Sequence, residues 1–478
     1  MNKHLYAGFH RLEITPEENG VPLGGYGATR HRLSARVLDP LYVSALCLGT
    51  AEKPECLFLV LDVLHIRNLT ERFRRELSEL TGIEGSRIFL SATHTHSAPD
   101  LDSDMEIIRE YREKVLSGRL KSAALEAVAD RKPARISYGR TEIGHPGARL
   151  NFIRHYLMTE RERKGDPAPD HLYPAGDNYG SEYASHPEQY AYAAHDGTPD
   201  HMLQIIRLER GEGADDILLL NFQAHASLTG GRDIQDVSSD WPGILVKRVE
   251  ELLPGNKALF FQGAAGNLNP KTRMKEEGLP GLTYGRNGEF DHRGYANILA
   301  YHVRNAVREG LTASETDLLA FRTEQHTCLY DHSSDALVPA AEEAKRIHEE
   351  EGYSAKLSAC LRENDFRSPY QCGAILGKAL NPRTGTVELN AIRLGDAALV
   401  TAPFELFSET GLEIKAGSPF PITLISGYTG EFQQYLPSKN ACAICYERDI
   451  SPYVPGTAEE VREALLSLLR GLKHTDGR

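Results

Sequence analysis

Two histidines separated by one residue stand at the end of an apolar run in the segment RIFLSATHTHSAP, which begins at Arg87. His94 and His96 follow the residues Ile88–Phe89–Leu90, which predict a buried strand. Side chains two positions apart on a strand point to the same face of a sheet. Two imidazoles held in this way suit one metal ion and a neighbouring proton carrier. A lone His-x-His is also found in ordinary loops, so the motif needs support from the rest of the chain.

That support comes from three further apolar runs that each end in a side chain able to bind a metal. ILLLNFQA leads to His225, ALVTAPFE ends at Glu405, and TLISGY ends at Tyr428. Sites in α/β proteins are assembled where strands end, and two histidines with one carboxylate form a zinc ligand set that leaves a position for water. The sequence therefore predicts one metal site built from remote strand ends.

A strand-helix-strand unit delivers the chain to the first histidine pair. The strand is LFLVLDVL, and the helix after it has apolar residues at helical spacing, with Asn68 as its predicted N-cap and Gly82 at its end. A right-handed crossover is the expected packing of this unit.

The remaining pattern predicts alternating strands and helices. Helices are expected over 104–129, 337–351 and 457–471. Asp240 is the predicted N-cap of one more helix, with Pro242 in its first turn. Strand hairpins are expected over 202–210 with 217–224, and over 387–394 with 397–400. The segment 156–200 is polar and without periodicity, so we expect a lid, a binding loop or an oligomer contact there. The glycine-rich loop VPLGGYG could line a site or form only a turn.

Composition excludes several classes of function. The chain has 478 residues, of which 41% are hydrophobic and 25% charged, and its net charge is −13. A negative chain does not favour nucleic acid or anionic membranes, which both reward Lys and Arg. No apolar run is long enough to span a membrane, and the amino terminus does not resemble a secretory signal. We therefore expect a cytoplasmic protein that binds a small neutral or cationic substrate without stable membrane association. Whether it forms a homo-oligomer is left open.

The seven cysteines are odd in number and scattered, which predicts reduced thiols and no disulfide framework. Cys442 and Cys445 form a lone CxxC, and without a second such pair we do not expect a metal site there.

At this point the sequence resembles the neutral/alkaline non-lysosomal ceramidase family, and more closely the short bacterial ceramidase-like proteins that share its catalytic domain. The matching stretches occur in a fixed order over most of the chain: GGYG and DPLYVSAL, SATHTHSAP, NFIRHYLM, NFQAHASLTGG with SSDWPG, FFQGAAGNLNP, TAPFELF and SGYTGEFQQY. The resemblance implies an α/β fold of mixed sheets with flanking helices and a metal site at strand ends. We expect one ceramidase-like catalytic domain over 1–478, without the C-terminal β-sandwich domain of the larger relatives.

The resemblance also assigns roles to individual residues. It implies one zinc ion per chain, with His94, His225, Glu405 and Tyr428 as ligands. His96 corresponds to the histidine beside the reaction centre, Arg154 to an arginine that contacts substrate, and Tyr435 and Tyr446 to site tyrosines. Asn269 stands where the family has a serine and is kept as a candidate substrate contact.

These assignments predict a zinc-dependent hydrolase that cleaves an amide (N-acyl) bond with a zinc-activated water. His96 would carry the proton to the leaving amine, while Arg154, Tyr435 and the backbone of Gly266 and Asn267 would stabilise the oxyanion. Two alternatives stay open: a cytosolic zinc-dependent hydrolase of a sugar-derived or ester substrate, and a non-catalytic binding protein on the same scaffold.

Overall fold

A nine-stranded mixed sheet forms the centre of the molecule. The computed structural model describes residues 4–26, 32–143, 151–153, 156–159, 190–193, 199–211, 213–230, 234–270, 291–352, 354–366, 369–439 and 446–474. The strands of the large sheet are β1 (Leu5–Glu13), β2 (Tyr42–Gly49), β3 (Pro54–Leu61), β4 (Ile88–Ala92), β5 (Lys132–Glu142), β6 (Met202–Arg210), β7 (Asp216–Phe222), β8 (Asn256–Gln262) and β9 (Thr312–Ala313). Their spatial order is β8-β7-β6-β5-β1-β2-β3-β4, with β9 paired to β5. The pairs β3–β4 and β7–β8 are parallel.

A second sheet has four strands, β10 (Leu319–Leu329), β11 (Thr384–Leu394), β12 (Ala397–Thr401) and β13 (Ile422–Ser426), in that spatial order. The pair β12–β13 is parallel and the other two pairs are antiparallel. Short strand pairs connect the loops: Pro22–Leu23 with Arg32–Leu33, Arg36–Val37 with Asp236–Val237, Asn151–Ile153 with Leu268–Pro270, Tyr156–Thr159 with Tyr190–Ala193, and Glu405–Leu406 with Tyr435–Leu436.

Within the described residues, the α-helices are α1 (Thr70–Thr81), α2 (Glu106–Tyr111), α3 (Ser117–Ala129), α4 (Asp240–Leu252), α5 (His292–Glu309), α6 (Val338–Glu351), α7 (Ala355–Glu363), α8 (Pro369–Ala379), α9 (Ser408–Gly417), α10 (Tyr446–Ile450) and α11 (Thr457–Lys473). A π-helical segment, Arg112–Leu116, joins α2 to α3, and 3₁₀ turns lie at Arg67–Leu69, Gly85–Arg87 and Asp335–Leu337.

Successive side chains along a strand face two different layers of the hydrophobic core. On β3, Leu57 and Leu59 face the cluster that includes α1 and α3, whereas Phe58 and Val60 face the second sheet. This is the two-residue period of a strand buried on both faces. Helices α4 and α5 cover the β6–β8 region of the large sheet, and α9 and α11 cover the outer face of the small sheet. The molecule is therefore layered helix, sheet, sheet, helix, and the predicted α/β class with mixed sheets and flanking helices is confirmed.

Most of the predicted elements are confirmed, but two predicted helix caps are wrong. The chain enters α1 through the 3₁₀ turn that contains Asn68, and the N-cap position falls on Leu69 without a side-chain cap bond. Asp240 is the first residue of α4, with φ of 53°, and its carboxylate accepts hydrogen bonds from Thr229 and from the N–H of Trp241. At α1 a 3₁₀ turn precedes the helix and moves the N-cap position by one residue. At α4 the Asp240 side chain bonds Thr229 and Trp241, and the N-cap position falls on Ser239.

Further predictions concern membrane-spanning helices and the state of the cysteines. Within the described ranges, no helix is both long and apolar enough to cross a membrane. The five cysteines in the described part of the chain are free thiols, and all except Cys360 are buried. Cys442, Cys445 and most of the predicted lid between 156 and 200 lie outside the described residues.

Candidate metal centre and cleft

The loop after β4 carries the two histidines, and its backbone is held on both sides. The N–H of His94 donates to the carbonyl of Val63 at 3.0 Å, and the N–H of His96 donates to that of Ala226 at 2.9 Å. His94 has φ of 62°, in the left-handed region that non-glycine residues rarely adopt. The two rings meet because of this turn, and not because a strand continues through both residues as we predicted. Their Nε2 atoms lie 3.2 Å apart.

Two imidazoles are oriented by backbone carbonyls. Nδ1 of His94 donates to the carbonyl of Leu64 at 2.9 Å, and Nδ1 of His225 donates to that of Ala265 at 2.8 Å. A carbonyl can only accept, so Nδ1 carries the hydrogen in both rings and Nε2 presents its lone pair. Trp241 further fixes this segment, because its indole N–H donates to the carbonyl of His225 at 3.1 Å.

Glu405 places a carboxylate beside the rings of His94 and His225. Its Oε2 lies 3.3 Å from Nε2 of His94 and 3.3 Å from Nε2 of His225, and it makes no hydrogen bond to any described residue. An ionised carboxylate at this position can only accept hydrogen bonds. Three acceptor atoms thus face one another with no hydrogen between them. A cation bound among the three atoms would offset their mutual repulsion.

The spacing of these atoms fits a bound metal. Nitrogen and oxygen ligands held tetrahedrally at about 2.0–2.1 Å from a zinc ion lie about 3.3 Å from each other. The side chains of His94, His96 and His225 are buried, and one nitrogen from each lies within 4.8 Å of the others. These groups can hold a metal ion, and the predicted ligands His94, His225 and Glu405 are brought together from three remote strand ends.

Two tyrosines border this centre. Tyr428, the fourth predicted ligand, is fully buried with φ of 55°, and its ring centroid lies 4.2 Å from that of His94. The hydroxyl of Tyr435 lies 3.2 Å from Nε2 of His225. Tyr435 pairs in register with Glu405, so one two-residue strand pair carries both side chains.

Glycines let the chain approach His96 closely. A Cβ atom on Gly25, which has φ of 105°, would lie 2.5 Å from Nδ1 of His96, and a Cβ on Gly230 would lie 3.1 Å from the Cβ of His96. Arg32 donates to the carbonyls of Gly24 and His96 and so ties the two loops together. The described part of this glycine-rich loop, residues 21–26, therefore lines the site, which the sequence had left open.

Gly266 and Asn267 contact the segment that carries Glu405. The N–H of Gly266 donates to the carbonyl of Leu406 at 2.8 Å, and the amide of Asn267 bonds Glu409 and the N–H of Ser408. These groups hold the segment that carries Glu405, so they position a predicted ligand. The oxyanion role of the Gly266 and Asn267 backbone stays a prediction. Asn269 lies in the short strand Leu268–Pro270. Arg154 and the side chain of Tyr446 lie outside the described residues.

A cleft of about 1150 Å³ leads to the centre, with His94, His96, Glu405 and Tyr435 along it. His65 also lines it, and its ring stacks on Phe432 at 4.8 Å between centroids. Burial first, and then the nearby positive charge of Arg67, lower the pKa of His65 to about 4, so this ring is neutral at pH 7. Sequence reasoning missed His65, although it directly follows the apolar run LFLVLDVL and the strand-end rule would have found it.

The comparisons with known proteins agree with the fold. No family model matches the chain, and no curated protein matches it in sequence. Among solved structures, neutral ceramidase from Pseudomonas aeruginosa is similar with a TM-score of 0.65 and 17% identity, over 99% of this chain and 75% of that one. A ceramidase complexed with C2 is similar with a TM-score of 0.66 and 16% identity, over 99% of this chain and 76% of that one. The chain has a ceramidase-like fold, as the sequence motifs predicted.

Proposed function

We propose that this protein is a zinc-dependent hydrolase that cleaves an amide bond of an N-acyl compound. The observation that carries the proposal is that Oε2 of Glu405 lies 3.3 Å from Nε2 of both His94 and His225, with the hydrogens of both rings turned away. The likeness of the fold to ceramidases supports an amide as the bond that is cleaved.

The residues present fit a zinc ion. Two neutral imidazoles and one carboxylate are a common catalytic set for zinc, and each imidazole has the carbonyl partner that orients such ligands. Tyr428 is the proposed fourth ligand. A zinc ion bound here would supply a Lewis acid and lower the pKa of a water molecule to about 7.

The protein's own groups then handle the proton and the developing charge. His96 places Nε2 beside the centre and is not needed to orient either predicted histidine ligand, so it is the proton carrier to the leaving amine. The hydroxyl of Tyr435 is a donor within reach of the same space and would stabilise the oxyanion. Arg154, which the family resemblance implies as a substrate contact, remains a prediction.

The test begins with metal content. We expect about one zinc per purified chain, with His94→Ala and His225→Ala each losing most of it, because each removes one of the few ligands of the site. The exposed His4 provides a matched control, and His4→Ala should keep its zinc. Wild-type protein that binds no zinc even after zinc is supplied would remove the basis of the proposal.

A substrate panel then identifies the bond. N-acyl sphingoid bases, N-acyl amino sugars, N-acyl amino acids, esters and glycosides are compared at equal concentration. Turnover of glycosides or esters alone would replace the amidase assignment with the sugar-derived or ester alternative. His96→Gln should keep its zinc and lower kcat by about 10²- to 10⁴-fold. Unchanged turnover in His96→Gln would contradict its proton-carrying role, and ligand binding without turnover in the wild type would indicate a binding protein.

A further inference from the structure

Gln262 is the last residue of β8, and its fully buried side chain bonds two loops that carry proposed ligands. The amide nitrogen donates to the carbonyl of Thr93 at 3.2 Å and to the carbonyl of Ala224 at 2.8 Å. Thr93 directly precedes His94, and Ala224 directly precedes His225. One amide group therefore joins two histidine loops that are remote in sequence.

The peptide groups of both histidines are also held from their other side. The carbonyl of Thr93 and the N–H of His94 belong to one peptide group, and that N–H donates to the carbonyl of Val63 at 3.0 Å. In the same way, the N–H of His225 donates to the carbonyl of Leu268 at 2.9 Å. A peptide group is planar, so a hydrogen bond at each end restricts its rotation. The direction in which each histidine side chain leaves the backbone is restricted with it.

The backbone of Gln262 reaches a third ligand loop. Its carbonyl accepts from the N–H of Gly427 at 3.0 Å, one residue before Tyr428. The N–H of Tyr428 in turn donates to the carbonyl of Phe404, the residue before Glu405, at 3.4 Å. Gln262 thus bonds the residue directly before three of the four proposed metal ligands.

The left-handed turn at His94 needs such a contact. Its φ of 62° is one that a residue with a side chain keeps only when the surrounding structure holds it. This φ is the rotation between the peptide group shared with Thr93 and the rest of His94. The hydrogen bond from Gln262 fixes that peptide group.

The oxygen of the Gln262 side chain indicates that stability is not the main contribution of this residue. Oε1 is buried and accepts no hydrogen bond from any residue that the structure describes. A buried acceptor without a partner lowers the stability of the folded state. A methionine of similar length would avoid this cost, although it would leave the two carbonyls unpaired. What the amide provides here is its donor hydrogens, and both are directed to the histidine loops.

Building on the proposed zinc site, we propose that Gln262 is a positioning residue that holds the peptide groups of His94 and His225 in the orientation required for metal binding. It acts on these ligands through the backbone and is not itself a ligand. Removing its donors should change metal binding more than it changes the stability of the fold.

The test compares Gln262→Met with the control Asn390→Leu. Asn390 is 2% exposed, and its amide bonds the side chains of Thr323, Glu388 and Thr401 within the small sheet, none of which is a proposed ligand. Zinc affinity is measured by competition with a chromogenic chelator, and the stability of the zinc-free proteins by urea denaturation. We expect Gln262→Met to bind zinc about 10- to 100-fold more weakly, as is typical when a group that orients metal ligands is lost. Asn390→Leu should lose stability and bind zinc like the wild type.

Cobalt(II) reports the geometry of the ligands, because it binds to the same kinds of ligand as zinc and its visible absorption depends on its coordination. The cobalt spectrum of Gln262→Met should differ from that of the wild type, whereas that of Asn390→Leu should not. A cobalt spectrum of Gln262→Met that matches the wild type would overturn the inference, as would an equal change in Asn390→Leu. Should Gln262→Met not fold, Gln262→Glu takes its place under the same outcomes, because a carboxyl of the same shape has at most one donor hydrogen.

Failure of this inference is separable from failure of the proposed function. If the wild type binds neither zinc nor cobalt, the proposed function is wrong, and Gln262 is judged by hydrogen exchange of the metal-free proteins, followed by mass spectrometry. Faster exchange of the segments 93–97 and 223–227 in Gln262→Met, with unchanged exchange there in Asn390→Leu, would support the positioning role. Exchange of both segments at the wild-type rate would overturn it.

Discussion

Single buried residues hold the histidine loop where the chemistry needs it, and Asp39 is a clear case. Its carboxylate accepts from Ser238 Oγ at 2.6 Å, His292 Nε2 at 2.9 Å and Arg293 Nη2 at 2.8 Å. Ser238 in turn accepts from Thr95 Oγ1 at 2.7 Å, which lies between the two histidines of the loop. Asp39 therefore supports the loop through one intermediate residue.

Replacement of Asp39 should cost stability in a pH-dependent way. Burial raises the pKa of Asp39, but His292, Ser238 and Arg293 outweigh it and lower the pKa from 3.8 to about 2. The ionised form is thus favoured by folding, so its contribution is complete above pH 4 and is lost as the pH falls toward 2. Asp39→Asn should lower the free energy of unfolding at pH 7 by about 2 kcal/mol.

Urea denaturation at several pH values checks this prediction. The difference between wild type and Asp39→Asn should shrink between pH 4 and pH 2, whereas Glu17→Gln, at an exposed carboxylate, should stay close to the wild type throughout. A difference that is constant over this pH range would mean that the ionised carboxylate is not the source of the stability.

At the scale of elements, one buried side chain joins the strands that carry the site. Asn221 on β7 is fully buried, and its amide donates to the carbonyls of Phe261 on β8 and Ile425 on β13 at 2.9 and 2.7 Å. Its oxygen accepts from the N–H of Ile425 at 3.0 Å. Because β7 leads to His225 and β13 leads to Tyr428, Asn221 fixes the two sheets relative to each other at the site.

Asn221→Leu keeps the number and branching of the side-chain heavy atoms but removes all of these bonds. Buried backbone groups left without partners cost about 1–3 kcal/mol each, so we expect the free energy of unfolding to fall by at least about 3 kcal/mol. Zinc affinity should fall with it, which can be measured by competition with a chromogenic chelator. Asn305→Leu, on the exposed side of α5, is the control and should change neither quantity. Unchanged zinc affinity in Asn221→Leu would mean that the sheets hold their relative position without this contact.

The elements also explain what the sequence could predict. The runs before His94, His225, Glu405 and Tyr428 are mostly apolar, so their strands and their ends are local signals. The contact between Asn221 and Ile425 joins residues more than 200 positions apart, and no local pattern reveals it. The same holds for the left-handed turn at His94 and for the place of α8, whose glycines contribute to a cleft formed by other segments.

At the scale of the whole molecule, the proposed ligands come from both sheets. His94 and His225 follow β4 and β7 of the large sheet, whereas Glu405 and Tyr428 follow β12 and β13 of the small one. A zinc ion would therefore join the two central layers, and the unfolded chain, in which these residues are far apart, would have no comparable site. Zinc should accordingly stabilise the folded state by about 3 kcal/mol when its free concentration is 100 times Kd.

Thermal unfolding with and without a chelator measures this linkage. Removing zinc should lower the Tm of the wild type, and returning zinc should restore it. His225→Ala should begin at the lower Tm and respond to neither treatment, because its site is incomplete. His96→Gln, which removes the proposed proton carrier and keeps the proposed ligands, should respond like the wild type. If the Tm of His96→Gln no longer responded to zinc, His96 would be a metal ligand. The proposed assignment of His94 to metal binding and of His96 to proton transfer would then be wrong.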